Sequence, residues 1–260
     1  MSDGWQPRQD ATQTRSRKAL AACALFIACL GTSAYSLCFR TQLADRFVND
    51  EWFLLGSNLV AFHTLGVGSY AIVLRPPGYP ALIAAALATS GPLPAAATNP
   101  ATAGDLVSLK EAYGPRGFDA VFRFQALLLA ATAVALFLWL GGRLGPRWAF
   151  LAALLLGTNP YALVLVGVLN YSVLHMFFCV VGCWSLDWAT ELPGRPWRIA
   201  AAGAWWGLAA LVRPVTLPLA VFLLPLFLLR SGKNVPRALL GVLLFSAGTA
   251  VTVAPWTLRN

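Results

Sequence analysis

Seven long apolar runs, with basic residues recurring in clusters between them, limit what this chain can fold into. The first is Ala19–Phe39, and the others cover about 120–140, 148–166, 170–188, 198–213, 215–229 and 238–256. A helix of roughly 20 apolar residues crosses the ~30 Å hydrocarbon layer of a bilayer. Lipid offers no water to unpaired backbone groups, so a crossing segment must close its hydrogen bonds within itself. The expected fold is therefore all-α: a polytopic membrane helical bundle of about seven transmembrane helices. Composition agrees, because only 11% of the residues are charged, against about a quarter in soluble domains.

The formal net charge of +9 does not indicate nucleic acid. The cations form no single patch and recur between apolar runs. Threading those runs alternately from a cytoplasmic tail, residues 1–18, places Arg8, Arg15, Arg17 and Lys18 inside. The connections bearing Arg143 and Arg147, Arg195 and Arg198, and Arg230, Lys233 and Arg237 then fall inside as well. That is the positive-inside distribution, and the short outer connections carry only Arg213. The first run is too long for a signal-peptide core of about 7–15 residues, so it is expected to stay as a span. The five cysteines lie within apolar runs and outline no disulfide framework.

Residues 40–121 form the only long polar stretch and would be an outer loop after the first span. Within it, 50–65 has the pattern of an amphipathic helix lying at the interface. Residues 80–90 are apolar but short, which suggests a second interfacial or half-buried helix. A Pro, Ala and Thr-rich insertion follows at 91–104. Residues 105–113 should form a short helix, capped by Asp105 and stopped at Gly114.

The middles of the apolar runs hold no Asp, Glu, Lys or Arg, and His175 is the one ionisable histidine inside them. A coupled transporter usually keeps such a group near the midplane. Polar chemistry gathers in the loop instead. Asp50 and Glu51 stand at a helix start, where one carboxylate can act as a general base toward a hydroxyl. The segment Arg75-Pro76-Pro77-Gly78-Tyr79-Pro80 is a stiff turn. In it Gly78 is expected to supply an unusual backbone conformation and Pro80 to open the next helix. Such a turn would aim Arg75 and Tyr79, and guanidinium grips phosphate at two points. Arg123, Arg213 and Arg259 stand at similar depth at the ends of other runs.

In order along the chain, these motifs resemble the GT-C class of polyprenyl-phosphate-sugar glycosyltransferases, in the branch related to protein O-mannosyltransferases and aminoarabinose transferases. The residues are Asp50-Glu51-Trp52-Phe53, Arg75-Pro-Pro-Gly-Tyr-Pro-Ala-Leu, Arg123-Phe-Gln125-Ala-Leu, Asn159-Pro-Tyr, Gly207-Leu-Ala-Ala-Leu-Val-Arg213-Pro and Pro255-Trp-Thr-Leu-Arg-Asn260. The resemblance implies a transmembrane glycosyltransferase domain over 19–260 that moves a sugar from a polyprenyl-phosphate donor to an acceptor hydroxyl. The acceptor would be a glycan, lipid or protein on the outer, periplasmic face of the plasma (inner) membrane. Asp50 and Glu51 would be catalytic, with Arg75, Tyr79, Arg123 and Arg213 binding the donor phosphate. Gln125 and Arg259 would assist on the acceptor side. Direct displacement would invert the sugar. Bound metal differs among family members, so no metal or cofactor is assigned.

Three departures accompany the likeness, the first being a 91–118 stretch longer than is usual in the family. No glutamate follows Tyr171-Ser172-Val173, and the family's chains continue past the Pro-Trp motif, so an incomplete domain is expected here. A transporter or flippase of lipid-linked sugars, or a non-catalytic remnant, are the alternatives. The transporter would use the same lipid-facing arginines but should need a polar path through the helices, which the sequence lacks, while the remnant would bind or scaffold; membrane lipids are partners on every reading.

Overall fold

The computed structural model describes residues 6–38, 50–67, 70–71, 75–99, 105–191, 195–230 and 234–259. Asn260, Lys233 and the stretch 40–49 lie outside them, as do the side chains of Asp50, Arg8 and Arg15. Among the described residues, regular structure is helical apart from a two-residue antiparallel pair, Gly66–Val67 (β1) with Tyr70–Ala71 (β2).

Among the described residues, four helices are long and apolar enough to cross a membrane. They lie within α1 (Gln6–Cys38), α5 (Leu106–Gly141), α8 (Ser172–Glu191) and α12 (Val235–Arg259). A fifth candidate is the bent pair α6 (Pro146–Gly157) and α7 (Pro160–Val166), which turns by 50° between its halves. The break has a local cause. Asn159 caps α7 by accepting from the amides of Tyr161 and Ala162, and Pro160 cannot continue α6.

The other two apolar runs are not single helices of that length. The run at 198–213 is α9 (Pro196–Val212), 17 residues long. The run at 215–229 is divided into a 3₁₀ turn, Pro214–Thr216, then α10 (Leu219–Phe222) and α11 (Leu224–Arg230). Pro214, Pro218 and Pro225 each remove a backbone donor from this stretch, which is why its hydropathy outlasts its helicity.

Residues expected as a short helix are fused onto α5. Asp105 does cap it, accepting from the amides of Val107 and Ser108. Gly114 takes φ 55° and ψ −161°, a kink, and Pro115 starts the continuing segment. The expected stop is thus a bend in one long element.

α2 (Asp50–Phe62) departs from the amphipathic reading. Trp52, Phe53, Leu55, Ser57 and Asn58 are all buried, so the helix is enclosed on most sides rather than half exposed. It ends at His63, whose φ of 55° is the left-handed turn that His tolerates better than most. Asn58 then donates to the Gly66 carbonyl at 2.9 Å and fixes the returning chain. α3 (Gly78–Ala88) is the short apolar helix anticipated in the loop, and it buries Tyr79, Ile83, Ala86 and Leu87.

Neighbouring helices meet through small residues. A β-carbon on Gly203 or Gly248 would collide with the Phe245 or Ala200 carbonyl, so α9 and α12 approach to backbone contact. Thr249 Oγ1 donates to the Gly203 carbonyl at 2.9 Å across this seam. Small residues and hydroxyl bonds of this kind are what joins helices when both are apolar. α2 and α3 are similarly close, with Ile83 against Gly56.

Candidate functional site

The first turns of α2 and α3 form the centre of the site. Glu51 and Arg75 meet in a two-point ion pair: Nε lies 3.1 Å from both carboxylate oxygens and Nη2 lies 2.7 Å from Oε2. Both side chains remain part exposed, Arg75 at 43% and Glu51 at 40%. The Glu51 hydrogen bond is the main reason the Arg75 guanidinium is raised above its usual range, so Arg75 stays a cation at any working pH. Two nitrogens face Glu51, which leaves the Nη1 donors of the fork for another acceptor. Trp52 lies beneath the guanidinium, 5.3 Å from its ring centre. That contact holds the cation over a flat apolar floor.

Trp52 links this ion pair to the second arginine. It meets Tyr171 edge-on at 5.9 Å, and Arg213 stands 5.5 Å over the Tyr171 ring. Gly78 brings the two ends into register. A β-carbon there would lie 2.7 Å from Val212 Cγ2 and 2.9 Å from the Leu211 carbonyl. The proline turn is thereby seated against the last residues of α9, just before Arg213. Gly78 is helical and is absent from the positive-φ glycines among the described residues. Its requirement is close approach, not the unusual backbone conformation expected of it. Pro80 is the third residue of α3 and not its first, which is harmless because first-turn amides need no helical acceptor.

Tyr79 and Gln125 lie inside the protein, both fully buried. The Tyr79 hydroxyl donates to Gln125 Oε1 at 2.9 Å, while Gln125 Nε2 donates to the Val166 and Val168 carbonyls at 2.8 and 3.0 Å. Every polar group of the Gln125 amide is spent inside the protein. These two side chains fasten α3 to α5 and to the end of α7. Burial pushes the Tyr79 phenol far above its ordinary range, so it remains a neutral donor.

Arg123 is exposed on α5. It lies two residues from Gln125, about 200° around the helix, and shares the exposed side of Asp119 and Leu127. The structure does not bring it to Tyr79. Arg259 is exposed near the end of α12, whose Trp256 packs on the cluster containing Trp52, Tyr79 and Val212. Asp50 opens α2 next to Glu51, and its side chain lies outside the described residues. Sequence reasoning assigned no role to Trp52 or Tyr171, although both flanked motifs already singled out.

A second polar cluster occupies the opposite ends of α8 and α9. Asp187, near the end of α8, pairs with Arg143, sits 3.7 Å from Arg230 and accepts from Trp139 Nε1 at 3.1 Å. Arg198, at the start of α9, is buried between Trp188 and Trp197, 4.3 and 5.7 Å from their ring centres. The described residues hold no group of three or more His, Cys, Asp or Glu placed to share a metal ion.

No family model matches the chain, and neither do any curated proteins or solved structures.

Proposed function

We propose that this chain is an integral membrane glycosyltransferase, or the catalytic part of one, with its site on the non-cytoplasmic face. The observation that carries the reading is the convergence of Glu51, Arg75 and Arg213 around Trp52 and Tyr171. A carboxylate and two cations thus stand beside an aromatic floor, at the start of the span-length helix α8 and the end of α9. The cations Arg143, Arg198 and Arg230 lie at the other end, as positive-inside threading requires. On this reading α9 and the broken 3₁₀–α10–α11 stretch are the two further spans, giving seven. The N-terminus is then cytoplasmic and the membrane is the plasma (inner) membrane.

The chemistry follows from what each group holds. The donor is a sugar linked through its anomeric carbon to a polyprenyl phosphate. The acceptor is a hydroxyl of a glycan, lipid or protein outside the membrane. Asp50 takes the acceptor's proton as the acceptor oxygen attacks the anomeric carbon. The bond from that carbon to the phosphate oxygen breaks on the opposite side, which inverts the configuration. Negative charge grows on the departing lipid phosphate, where Arg75 and Arg213 stabilise it. Glu51 keeps the Arg75 fork at a fixed angle while its remaining donors meet the phosphate.

The test is sugar transfer from a polyprenyl-phosphate donor in membranes containing the protein. Asp50→Asn should reduce turnover by roughly 10²–10⁴-fold, the range of a lost general base. Arg213→Gln should weaken donor use. Transfer by Asp50→Asn at the wild-type rate would remove the assignment.

A further inference from the structure

We infer that the crevice between α1, α5 and α6 is a binding site for the phosphate head group of an anionic phospholipid. It is a cleft of about 520 Å³ lined by Arg17, Lys18, Ala21, Phe137, Pro146, Arg147 and Phe150. This inference rests on the membrane reading of the helices and is independent of the glycosyltransferase assignment.

Three features of the cleft specify its occupant. The first is charge. Arg17 and Lys18 stand on α1 and Arg147 on the first turn of α6, so cations from two separate elements border one space. Among the described residues, none of the three has an acidic partner, in contrast to Arg143 and Arg75. Three cations around one cavity, unpaired among the described residues, repel each other, and an anion removes that repulsion.

The second feature is the floor. Phe137 is buried and meets Phe150 edge-on at 6.3 Å, and both belong to the cluster that joins α1, α5 and α6. The cleft is thus cationic at its mouth and aromatic at its base. A free phosphate would use only the mouth. A lipid uses both parts, laying its acyl chains along the helix flanks below its head group.

The third feature is depth. Arg17 and Lys18 lie at the start of the apolar part of α1, which begins at Ser16. Arg147 sits just past the end of α5. All three therefore stand at the level where phosphate groups of the cytoplasmic leaflet would be, and basic pockets between spans on that side suit anionic head groups.

The experiment uses the full chain in nanodiscs of phosphatidylcholine with increasing phosphatidylglycerol. Bound lipid is counted by native mass spectrometry after release. Wild type should retain phosphatidylglycerol in preference to phosphatidylcholine. Replacing Arg17 and Arg147 together by Gln should lower apparent affinity roughly fivefold per cation removed. Arg237→Gln is the control, because Arg237 is exposed on α12, which packs on α9 and α11 instead. Retention unchanged in the double variant overturns the inference, as does an equal loss in Arg237→Gln. Displacement of the lipid by millimolar inorganic phosphate also overturns it, since the apolar part of the site would then contribute nothing. Failure of the chain to enter bilayers at all, judged by alkaline extraction, would instead remove the membrane reading beneath it.

Discussion

Glu51 and Arg75, 24 residues apart in sequence, share a two-point ion pair that joins the start of α2 to the proline turn before α3. Both are about two-fifths exposed, so water screens the pair and its contribution to stability is modest. Arg75→Ala and Glu51→Ala should each cost under about 1 kcal/mol in thermal unfolding. The same changes should cost far more in turnover of the proposed reaction, because Arg75→Ala removes the guanidinium and Glu51→Ala releases it from its fixed angle. Arg75→Lys should resemble Arg75→Ala in turnover, since an ammonium lacks the fork. Unfolding losses of several kcal/mol would show the pair to be chiefly structural.

Tyr79→Phe removes the hydroxyl that donates to Gln125 and strands a buried amide oxygen. The expected loss is about 1–3 kcal/mol. Gln125→Leu should be worse, because it removes the acceptor of the Tyr79 hydroxyl and the donor to the Val166 and Val168 carbonyls. Thermal unfolding in detergent ranks the two, and the reverse ranking would contradict the hub assignment.

Gly78→Ala should displace the proline turn from the end of α9. Its new methyl would press on Val212 and on the Leu211 carbonyl, which is backbone and has little room to yield. Overpacking of this kind costs about 1–3 kcal/mol. Cross-linking yield between cysteines placed at Arg75 and Arg213 should fall in parallel. Gly141→Ala, with open space around its β-position, should leave both measurements unchanged.

Asp105 makes the start of α5 sensitive to acid. Its hydrogen bond from the Ser108 hydroxyl is the largest cause holding its carboxyl below the usual range, followed by the Val107 amide. A depressed folded value means the cap contributes fully above the ordinary Asp range near pH 3.9. That contribution is lost as pH falls through the lower folded value. Protection of the Val107 and Ser108 amides, read by hydrogen exchange and corrected for intrinsic rates, should decline only in that acid window. Asp105→Asn should keep the cap and abolish the decline.

The helices were legible because lipid-length apolar runs leave little choice of secondary structure. The breaks were less so. Asn159-Pro160 and the prolines at 214, 218 and 225 sit inside runs whose mean hydropathy hides them, and a proline's missing donor matters more than its neighbours' polarity. The site was half legible. Residue type singled out Glu51, Arg75 and Arg213, but nothing in their spacing says that Glu51 neutralises Arg75. Gln125 shows the limit most clearly. A polar residue beside an arginine motif reads as a ligand contact, whereas burial and three internal hydrogen bonds make it a fastening.

The glycine seam between α9 and α12 bears on how such a protein assembles. Partitioning into lipid depends on each segment's own hydropathy, whereas docking these two helices depends on the missing side chains at Gly203 and Gly248. The two steps are thus encoded by different atoms. A chain could reach its full topology and still be unassembled, with every loop on its proper side and α12 drifting free of its neighbour. Quality control that inspects only loop location would pass it, and only surveillance within the bilayer plane would detect the fault.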